Sequence, residues 1–441
     1  MASAFPNYEE EDPEIREIEE RLRPIHISSP EDTQMEIEDS GLTEEVLGDK
    51  LMPICVLVDD LVKYFEERRF QHEEIVKRGE ALEEIMLRHQ ENLIRENEFL
   101  FLLKIGQLYS LTKKDKKVAM DVLSKVVEHD PNVAEAWDAL AVCYWDLHDC
   151  EKAKFCLENS LRQGRRKVPL RNMSVICRKL SNKYPDKKFS FLEECINLAK
   201  EAVEKDVKDG ISWGVLGNAY LSAHFKLMKD MDYANLALTS YKEAVNMGTT
   251  FNAELYFHQG YVNAFCENYK EALTSLDNAI ALDTVKQEPF LLKNELISFL
   301  NNVIYLQSCH LDPTCLAKHR KDIQNSQIAK SLKVESTSEG SSQFGEDHRM
   351  FVHGKVIWST PKAIYLPVAC GCIEANGEVF VITVYNMTPG KQFIVGDTVT
   401  ISRPDFKIIS FEHNDHLFEF RSLRVDKPTD LLVNQVRLAQ D

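Results

Sequence analysis

The stretch Trp213-Gly-Val-Leu216-Gly217-Asn-Ala-Tyr220, echoed by Trp137-Asp-Ala-Leu140-Ala141-Val-Cys-Tyr144, sets an aromatic, a leucine, a small residue and a tyrosine at one fixed helical spacing. Such a phrase marks the first helix of a two-helix unit that repeats about every 34 residues. Its large side chains fill the gap between two antiparallel helices, and its small residue lets the partner backbone come close.

Working outward, the second helices carry their own marks. Ala119, Leu123 and Val126 precede Asp130-Pro131, and Ala153, Leu157 and Ser160 follow Trp137. Cys195, Ala199 and Ala202 repeat the same four-then-three spacing, as do Ala237, Tyr241 and Ala244 after Trp213. Tyr256, Gly260, Ala272, Leu276 and Ala279 complete the series. This spacing keeps each set on one helical face, and five consecutive matches predict tetratricopeptide repeats, a scaffold that holds a peptide. Two units are longer than standard. Trp213 and Ala237 are 24 residues apart where Trp137 and Ala153 are 16 apart, an insertion of eight. Insertions of this kind map to loops on one face, so Lys183 to Ser190 and Leu227 to Asp232 are expected to be extended loops. Val58 to Arg88 reads as a long leading helix region and Glu288 to Leu306 as a closing helix, giving an all-α solenoid over residues 51–308.

The chain has 441 residues, 44% of them hydrophobic, and a formal net charge of -18. Residues 1–50 hold 16 Asp plus Glu against 4 Lys plus Arg, a net of -12, so two thirds of the excess sits in one arm. With few large apolar residues and no helical stripe, that arm is expected to be disordered and to serve solubility. Of the 11 cysteines, Cys143, Cys150, Cys156, Cys177, Cys195 and Cys266 fall at helical positions, where isolated cysteines act as small buried hydrophobes. No Cys-x-x-Cys pair occurs, and Cys370-Gly-Cys372 alone makes no zinc site. The start is not a secretory signal and no apolar run approaches 18 residues, so a reduced compartment, cytosol or nucleus, is expected and no membrane partner.

Beyond the helices the composition changes. Asp312-Pro313 and Gln324 to Gln343, with a Ser-Thr-Ser-Glu-Gly-Ser-Ser run, read as part of a linker over residues 309–346. From Phe351 the hydrophobic period becomes two. Val352, Gly354, Val356 and Trp358 alternate with more polar neighbours, and Ile364, Leu366 and Val368 follow. Asn376-Gly377 is a hairpin turn leading into Val379 to Tyr385. Gly396 to Ile401, Phe406 to Phe411 and Leu417 to Val425 supply further strands. About six short strands over residues 347–441 predict a small barrel of the OB (oligonucleotide/oligosaccharide-binding) type. From Asp347 to Asp441 there are 10 Lys plus Arg and 11 Asp plus Glu, a net of -1. A groove for single-stranded nucleic acid needs a positive field and stacking aromatics. Phe380, Phe411, Phe418 and Phe420 lie where a barrel core would use them, so a protein-contact or structural role is the favoured reading.

No catalytic signature stands in the sequence: no G-x-S-x-G elbow, no H-E-x-x-H helix, no phosphate-cradling glycine loop. His72, His148 and His258 have no carboxylate or Cys partner at ligand spacing. A non-enzymatic protein without metal or cofactor is expected.

The repeats, two of them lengthened, the phrase Asp209-Gly-Ile-Ser-Trp213-Gly-Val-Leu-Gly-Asn218-Ala-Tyr-Leu, the segment Asn172-Met-Ser174-Val-Ile-Cys-Arg178 and a terminal barrel beginning Gly354-Lys-Val together resemble the tetratricopeptide repeat protein five family. The likeness runs from about Leu57 to Val436; the acidic arm is longer than the family's and the linker differs. The resemblance implies a protein that binds the Met-Arg-Glu start of nascent tubulin at the ribosome and, through an adaptor, brings a deadenylase to the tubulin message. It also implies a second role as a nuclear cofactor of a histone acetyltransferase in stress-induced transcription. By family position Arg178 would pair with the peptide Glu, a bidentate contact, while Glu254 and Glu288 would take the peptide Arg and the free amine across one groove. Glu254 stands where the family has Asp, which keeps the charge and lengthens the reach. Ribosome contact needs basic surface, and two clusters offer it: Lys113, Lys114, Lys116 and Lys117, then Arg162, Arg165, Arg166 and Lys167.

Overall fold

The computed structural model describes residues 51–67, 72–227, 231–308, 321, 351–360, 366–374, 377–385, 387, 392–402, 404–414, 416–434 and 436–437. The acidic arm lies outside the described residues, as does the expected linker apart from residue 321. The chain divides into two units, Met1–Phe251 and Asn252–Asp441.

The first unit holds ten helices among the described residues: α1 (Leu51–Glu67), α2 (His72–Arg88), α3 (Gln90–Thr112), α4 (Lys116–His129), α5 (Ala134–Asp146), α6 (Cys150–Gln163), α7 (Lys167–Lys183), α8 (Lys188–Lys205), α9 (Gly210–Lys226) and α10 (Met231–Asn246). From α3 onward they pack as pairs, α3 with α4, α5 with α6, α7 with α8 and α9 with α10. Local chemistry sets their starts. Asp115 accepts from the backbone N–H of Lys117 and Val118 ahead of α4, Asp149 from Lys152 ahead of α6, and Asp209 from Ile211 ahead of α9. Each such cap stabilises its helix by about 1 kcal/mol. Inside α3, Asn97 leaves helical geometry at φ -158 and ψ 97, and its side chain accepts from the Leu100 N–H at 3.0 Å. The helix therefore restarts at this point.

The small residue of each repeat has the role that the sequence suggested. A Cβ added at Gly217 would stand 2.5 Å from the ring of Tyr241, and one at Gly106 would stand 2.7 Å from Leu123. Tyr241 is fully buried and its hydroxyl donates to Asn218 Oδ1 at 2.8 Å. Ser174 takes the small position in the third repeat and donates to the Cys195 carbonyl at 2.8 Å.

Two local expectations need correction. The region from Val58 to Arg88 is two helices, α1 and α2, that share a core with α3 through Ile54, Val58, Ile75, Met86 and Leu93. Among the described residues, the lengthened repeats place their extra residues in helix and not in extended loops. The α7 and α9 helices have 17 residues each where α5 has 13, one more turn, and a short 3-10 turn, Pro185–Lys187, leads directly into α8. Insertion of about one helical turn per helix keeps every backbone group bonded, which an extended loop would not. Leu227 closes α9 and residues 228–230 lie outside the described set.

Among the described residues the second unit contains α11 (Ala253–Phe265), α12 (Tyr269–Leu282) and α13 (Glu288–Ser308), followed by eight strands: β1 (Phe351–Ser359), β2 (Val368–Glu374), β3 (Val379–Val384), β4 (Thr398–Ser402), β5 (Phe406–His413), β6 (His416–Val425), β7 (Leu431–Val433) and β8 (Val436–Arg437). Their order in the sheet is β5-β6-β3-β2-β1-β4-β7-β8, antiparallel throughout except for β3 beside β6. Gly377 turns the β2–β3 hairpin with φ +95. In β1, Val352, Gly354 and Val356 point inward; the register then slips between Val356 and Trp358. That bulge re-aims Trp358, and its ring packs 6.4 Å from Phe299 on α13. Leu366 precedes β2 and Ile364 lies outside the described residues.

Among the described residues this unit has two apolar cores. One fills the barrel with Val356, Cys372, Phe380, Ile382 and Leu423 among others. The other lies between helices and sheet, where Tyr269, Leu296, Phe299 and Val303 meet Val381, Ile409, Phe418 and Phe420. The barrel is thus packed against the last helices of its own unit. Of the four aromatics assigned to a barrel interior, Phe380 alone is there. Phe418 and Phe420 are buried against α12 and α13, with Phe411 stacked 5.1 Å from Phe418 beside them.

Candidate functional site

Arg178 occupies the last third of α7, partly exposed, and among the described residues no carboxylate pairs with its guanidinium. Its surroundings are cationic. Lys226, at the end of α9, donates from Nζ to Ser181 Oγ at 2.9 Å and to the Arg178 carbonyl at 3.4 Å. Burial first, and then the nearby charges of Arg178, Lys188 and Lys179, hold the Lys226 ammonium below its usual range. None of these four cations has an acidic partner among the described residues. Like charges gathered without a counter-charge are unfavourable for the free fold, and an anion placed among them relieves that cost. Extension of α9 by one turn is what carries Lys226 to this place.

Several other cations of the unit are neutralised by carboxylates. Arg166 donates to Asp138 at 2.8 Å and to Ser160 at 2.9 Å, and Arg171, 2% exposed, donates to Asp209 at 2.7 Å. Lys167 bonds Asp206 at 2.7 Å and Arg165 holds Glu201 through two nitrogens. These contacts tie the start of α7 to α5, α8 and α9. Burial pushes the Asp138 carboxyl up to about 6 against the pull of Arg166.

The clusters expected to meet the ribosome therefore divide. Lys113 and Lys116 lie within 3.5 and 3.9 Å of Asp146, and Lys114 lies 3.8 Å from Glu83. Arg165, Arg166 and Lys167 are the repeat-to-repeat ties described above. Lys117 and Arg162 remain without a carboxylate among the described residues; Arg162 donates to Asn159 at 3.1 Å.

Glu254 sits in the first turn of α11 and Glu288 opens α13, both exposed and both without a cationic partner among the described residues. They belong to the second unit and Arg178 to the first. A feature that sequence reading missed lies in that second unit. Glu267, 4% exposed in the turn after α11 with φ +61, accepts from Thr383 Oγ1 at 2.5 Å and has the Tyr385 hydroxyl at 3.5 Å. Arg424 donates to the Phe265 carbonyl at 2.7 Å and lies 3.7 Å over the Tyr385 ring. Glu267 and Arg424 pin this turn to β3 and β6. A positive φ at a residue that is neither Gly nor Asn was the feature to find, and sequence does not display it.

No group of three or more His, Cys, Asp or Glu side chains is arranged to hold a metal among the described residues. Cys370 and Cys372 are buried with sulfurs 3.7 Å apart. None of the described helices is long and apolar enough to cross a membrane.

Tetratricopeptide repeat protein 5 of Bos taurus is 28% identical over 418 residues, which cover 89% of this chain and 95% of that protein. That of Homo sapiens is 27% identical over 420 residues, covering 89% and 94%. Residues 342–441 match the Tetratricopeptide repeat protein 5 OB fold domain. The chain is thus similar over most of its length to tetratricopeptide repeat protein 5. The terminal sheet, with β3 parallel to β6, is accordingly an OB-type barrel. Among solved structures, a thermophilic tetratricopeptide repeat protein of Thermus thermophilus is 17% identical with a TM-score of 0.36, covering 45% of this chain and 99% of that one. Helical repeats joined to such a barrel, in a chain similar to tetratricopeptide repeat protein 5, point to an adaptor-type protein.

Proposed function

We propose that this adaptor reads the Met-Arg-Glu start of nascent tubulin at the ribosome and, through a further adaptor, recruits a deadenylase that destroys the tubulin message. The observation that carries the reading is the unneutralised cationic cluster of Arg178, Lys179, Lys188 and Lys226. A peptide Glu placed there meets Arg178 in a charge-assisted contact, and such contacts are shorter and stronger than neutral ones. The assignment of Glu254 and Glu288 to the peptide Arg and its free amine rests on family position alone. On this reading the protein is cytoplasmic and, in a second role, nuclear. The role as a nuclear cofactor of a histone acetyltransferase rests on family likeness alone.

Ribosome contact within this reading falls to Lys117 and Arg162, since intramolecular carboxylates already neutralise much of the remaining basic surface. The covered aromatics of the barrel argue for a protein-contact role and against base stacking at Phe418 and Phe420. A stalled ribosome that displays Met-Arg-Glu with a photo-crosslinker at the next residue tests the whole reading. It should label this protein near Arg178 on α7, and labelling should vanish when the displayed start is Met-Arg-Lys. Equal labelling of both chains would refute the charge assignment.

A further inference from the structure

We propose that the pit between α5 and α7 is a subsite for the residues that follow the peptide Glu, with Asn172 accepting a main-chain N–H of the peptide and the apolar wall taking a small apolar side chain. The proposal rests on the peptide reading above and extends it beyond the third residue. The pit is lined by Ala141, Val142 and Trp145 of α5, Leu157 of α6 and Val175 and Ile176 of α7, with Asn172 as its polar member. It has room for about one water or one methyl group. Asn172 is 6% exposed, and its Oδ1 accepts no hydrogen bond from any described residue. A buried acceptor without a donor is unfavourable for the free fold, and a ligand N–H placed on it relieves that cost.

An internal comparison shows that this helical position faces a partner. Lys104 stands two residues before Gly106, the small residue of α3, as Asn172 stands two before Ser174 of α7. Lys104, 1% exposed, is ion-paired with Asp59 of α1, so α1 lies across that face of the first repeat. The residue after the small one repeats the contrast: Gln107 of α3 is 1% exposed, whereas Val175 of α7 is partly open. In the first repeat a segment of the same chain covers this face. On α7 the face stays accessible at Val175 and Arg178.

The spacing suits a peptide already held by Arg178. Residues three apart on a helix are surface neighbours, and Val175 stands three residues from Asn172 and three from Arg178. Asn172 and Arg178 are therefore about 9 Å apart along α7. An extended peptide advances about 3.4 Å per residue, and the Arg178 and peptide Glu side chains span part of the separation. One of the two residues after Glu then lies over the pit, and the peptide continues from Arg178 toward α5. A main-chain N–H is present whatever residue stands there, so Asn172 anchors the chain and the small apolar wall selects against a charged side chain.

The test uses the full chain and a fluorescent peptide that begins Met-Arg-Glu-Ala-Ala, either unmodified or N-methylated at its fourth or its fifth residue. One of the two methylated peptides should bind the wild type about tenfold more weakly, since an accepted N–H is lost and Asn172 is left unpaired. Asn172→Leu should bind the methylated and unmodified peptides alike, and should melt no lower than the wild type because it removes an unpaired acceptor. An ester in place of the sensitive amide removes the N–H without adding a methyl group; it should weaken wild-type binding by a similar factor and decides the matter even if the variant misfolds. Equal affinity of the wild type for all these peptides overturns the subsite and leaves the Glu contact at Arg178 standing. A methylation penalty of the same size in Asn172→Leu, or an ester without effect, overturns the role of Asn172. Failure of the wild type to bind the unmodified peptide removes the peptide reading, and the subsite with it.

Discussion

Replacing Glu267 by Ala should loosen the barrel from the helices that precede it in the second unit. Glu267 is buried at 4% exposure and accepts from Thr383 Oγ1, itself 1% exposed. Removal of the carboxylate deletes a hydrogen bond to a charged acceptor, about 1.5–3 kcal/mol, and leaves a buried hydroxyl without an acceptor, a further 1–3 kcal/mol. The positive φ is no harder for Ala than for Glu, so it does not change the comparison, and the lower end of the summed range is taken. A net loss of about 3 kcal/mol follows. The second unit spans 190 residues, from 252 to 441, and at about 2–4 °C per kcal/mol its transition should fall by roughly 6–12 °C. Differential scanning calorimetry of wild type, Glu267→Ala, Thr383→Val and the double variant gives the coupling directly. The two single losses should exceed the double loss by about 1 kcal/mol or more. Strict additivity of the two changes, or an unmoved transition in Glu267→Ala, would refute the assignment of this contact as the anchor.

Limited proteolysis should cut first within residues 324–346 and in the acidic arm, and the barrel should then co-elute with the helices of its own unit, because Tyr269 and Phe299 share a core with Phe418 and Phe420; separate elution would contradict that core. Lys117→Glu with Arg162→Glu should weaken ribosome cosedimentation in a salt-dependent way and leave thermal stability and free-peptide binding unchanged, whereas Arg166→Glu should cost about 3–5 kcal/mol by leaving Asp138 buried beside a like charge. Asp138 also sets a pH slope. Its carboxyl is raised from 3.8 to about 6 in the fold, so the folded state holds the proton between those values and stability falls as pH rises through that window. A shift of this size corresponds to about 3 kcal/mol, and Asp138→Asn should flatten the slope between pH 4 and 6 in urea titrations.

How much of this was legible beforehand depends on whether a feature is periodic. Trp213, Leu216, Gly217 and Tyr241 repeat in other units and each answers to local packing, so the helical repeats and the small-residue contacts could be read directly. The β2–β3 hairpin was equally plain, because a turn with Gly377 at positive φ leaves few alternatives. The extra turn of α7 and α9 was misread as loop, since an insertion count carries no direction: eight residues extend helices as readily as they extend the connection between them. The helix-to-barrel core was hidden for a different reason. Phe411, Phe418 and Phe420 alternate as barrel-core residues would, and the side of the sheet they serve is decided by Tyr269 and Phe299, more than a hundred residues away. Among candidate site residues, Arg178 was found by family position. Lys226, Lys188 and Lys179 were not, because ordinary lysines acquire meaning only when folding brings them together without a carboxylate. The basic run Arg165-Arg166-Lys167 looked like an outward patch and is instead bonded to Glu201, Asp138 and Asp206.

Isothermal titration of a Met-Arg-Glu peptide into the wild type and Arg178→Ala tests the central claim most directly. Loss of one partner from a hydrogen-bonded charge pair costs on the order of 2 to 5 kcal/mol when desolvated; Arg178 is only partly buried, so the lower end, about 2 kcal/mol or some thirtyfold in Kd, is expected. Glu288→Lys should weaken binding further by repelling the peptide Arg and amine. Binding by Arg178→Ala as tight as by wild type, with helicity unaltered, would contradict the account.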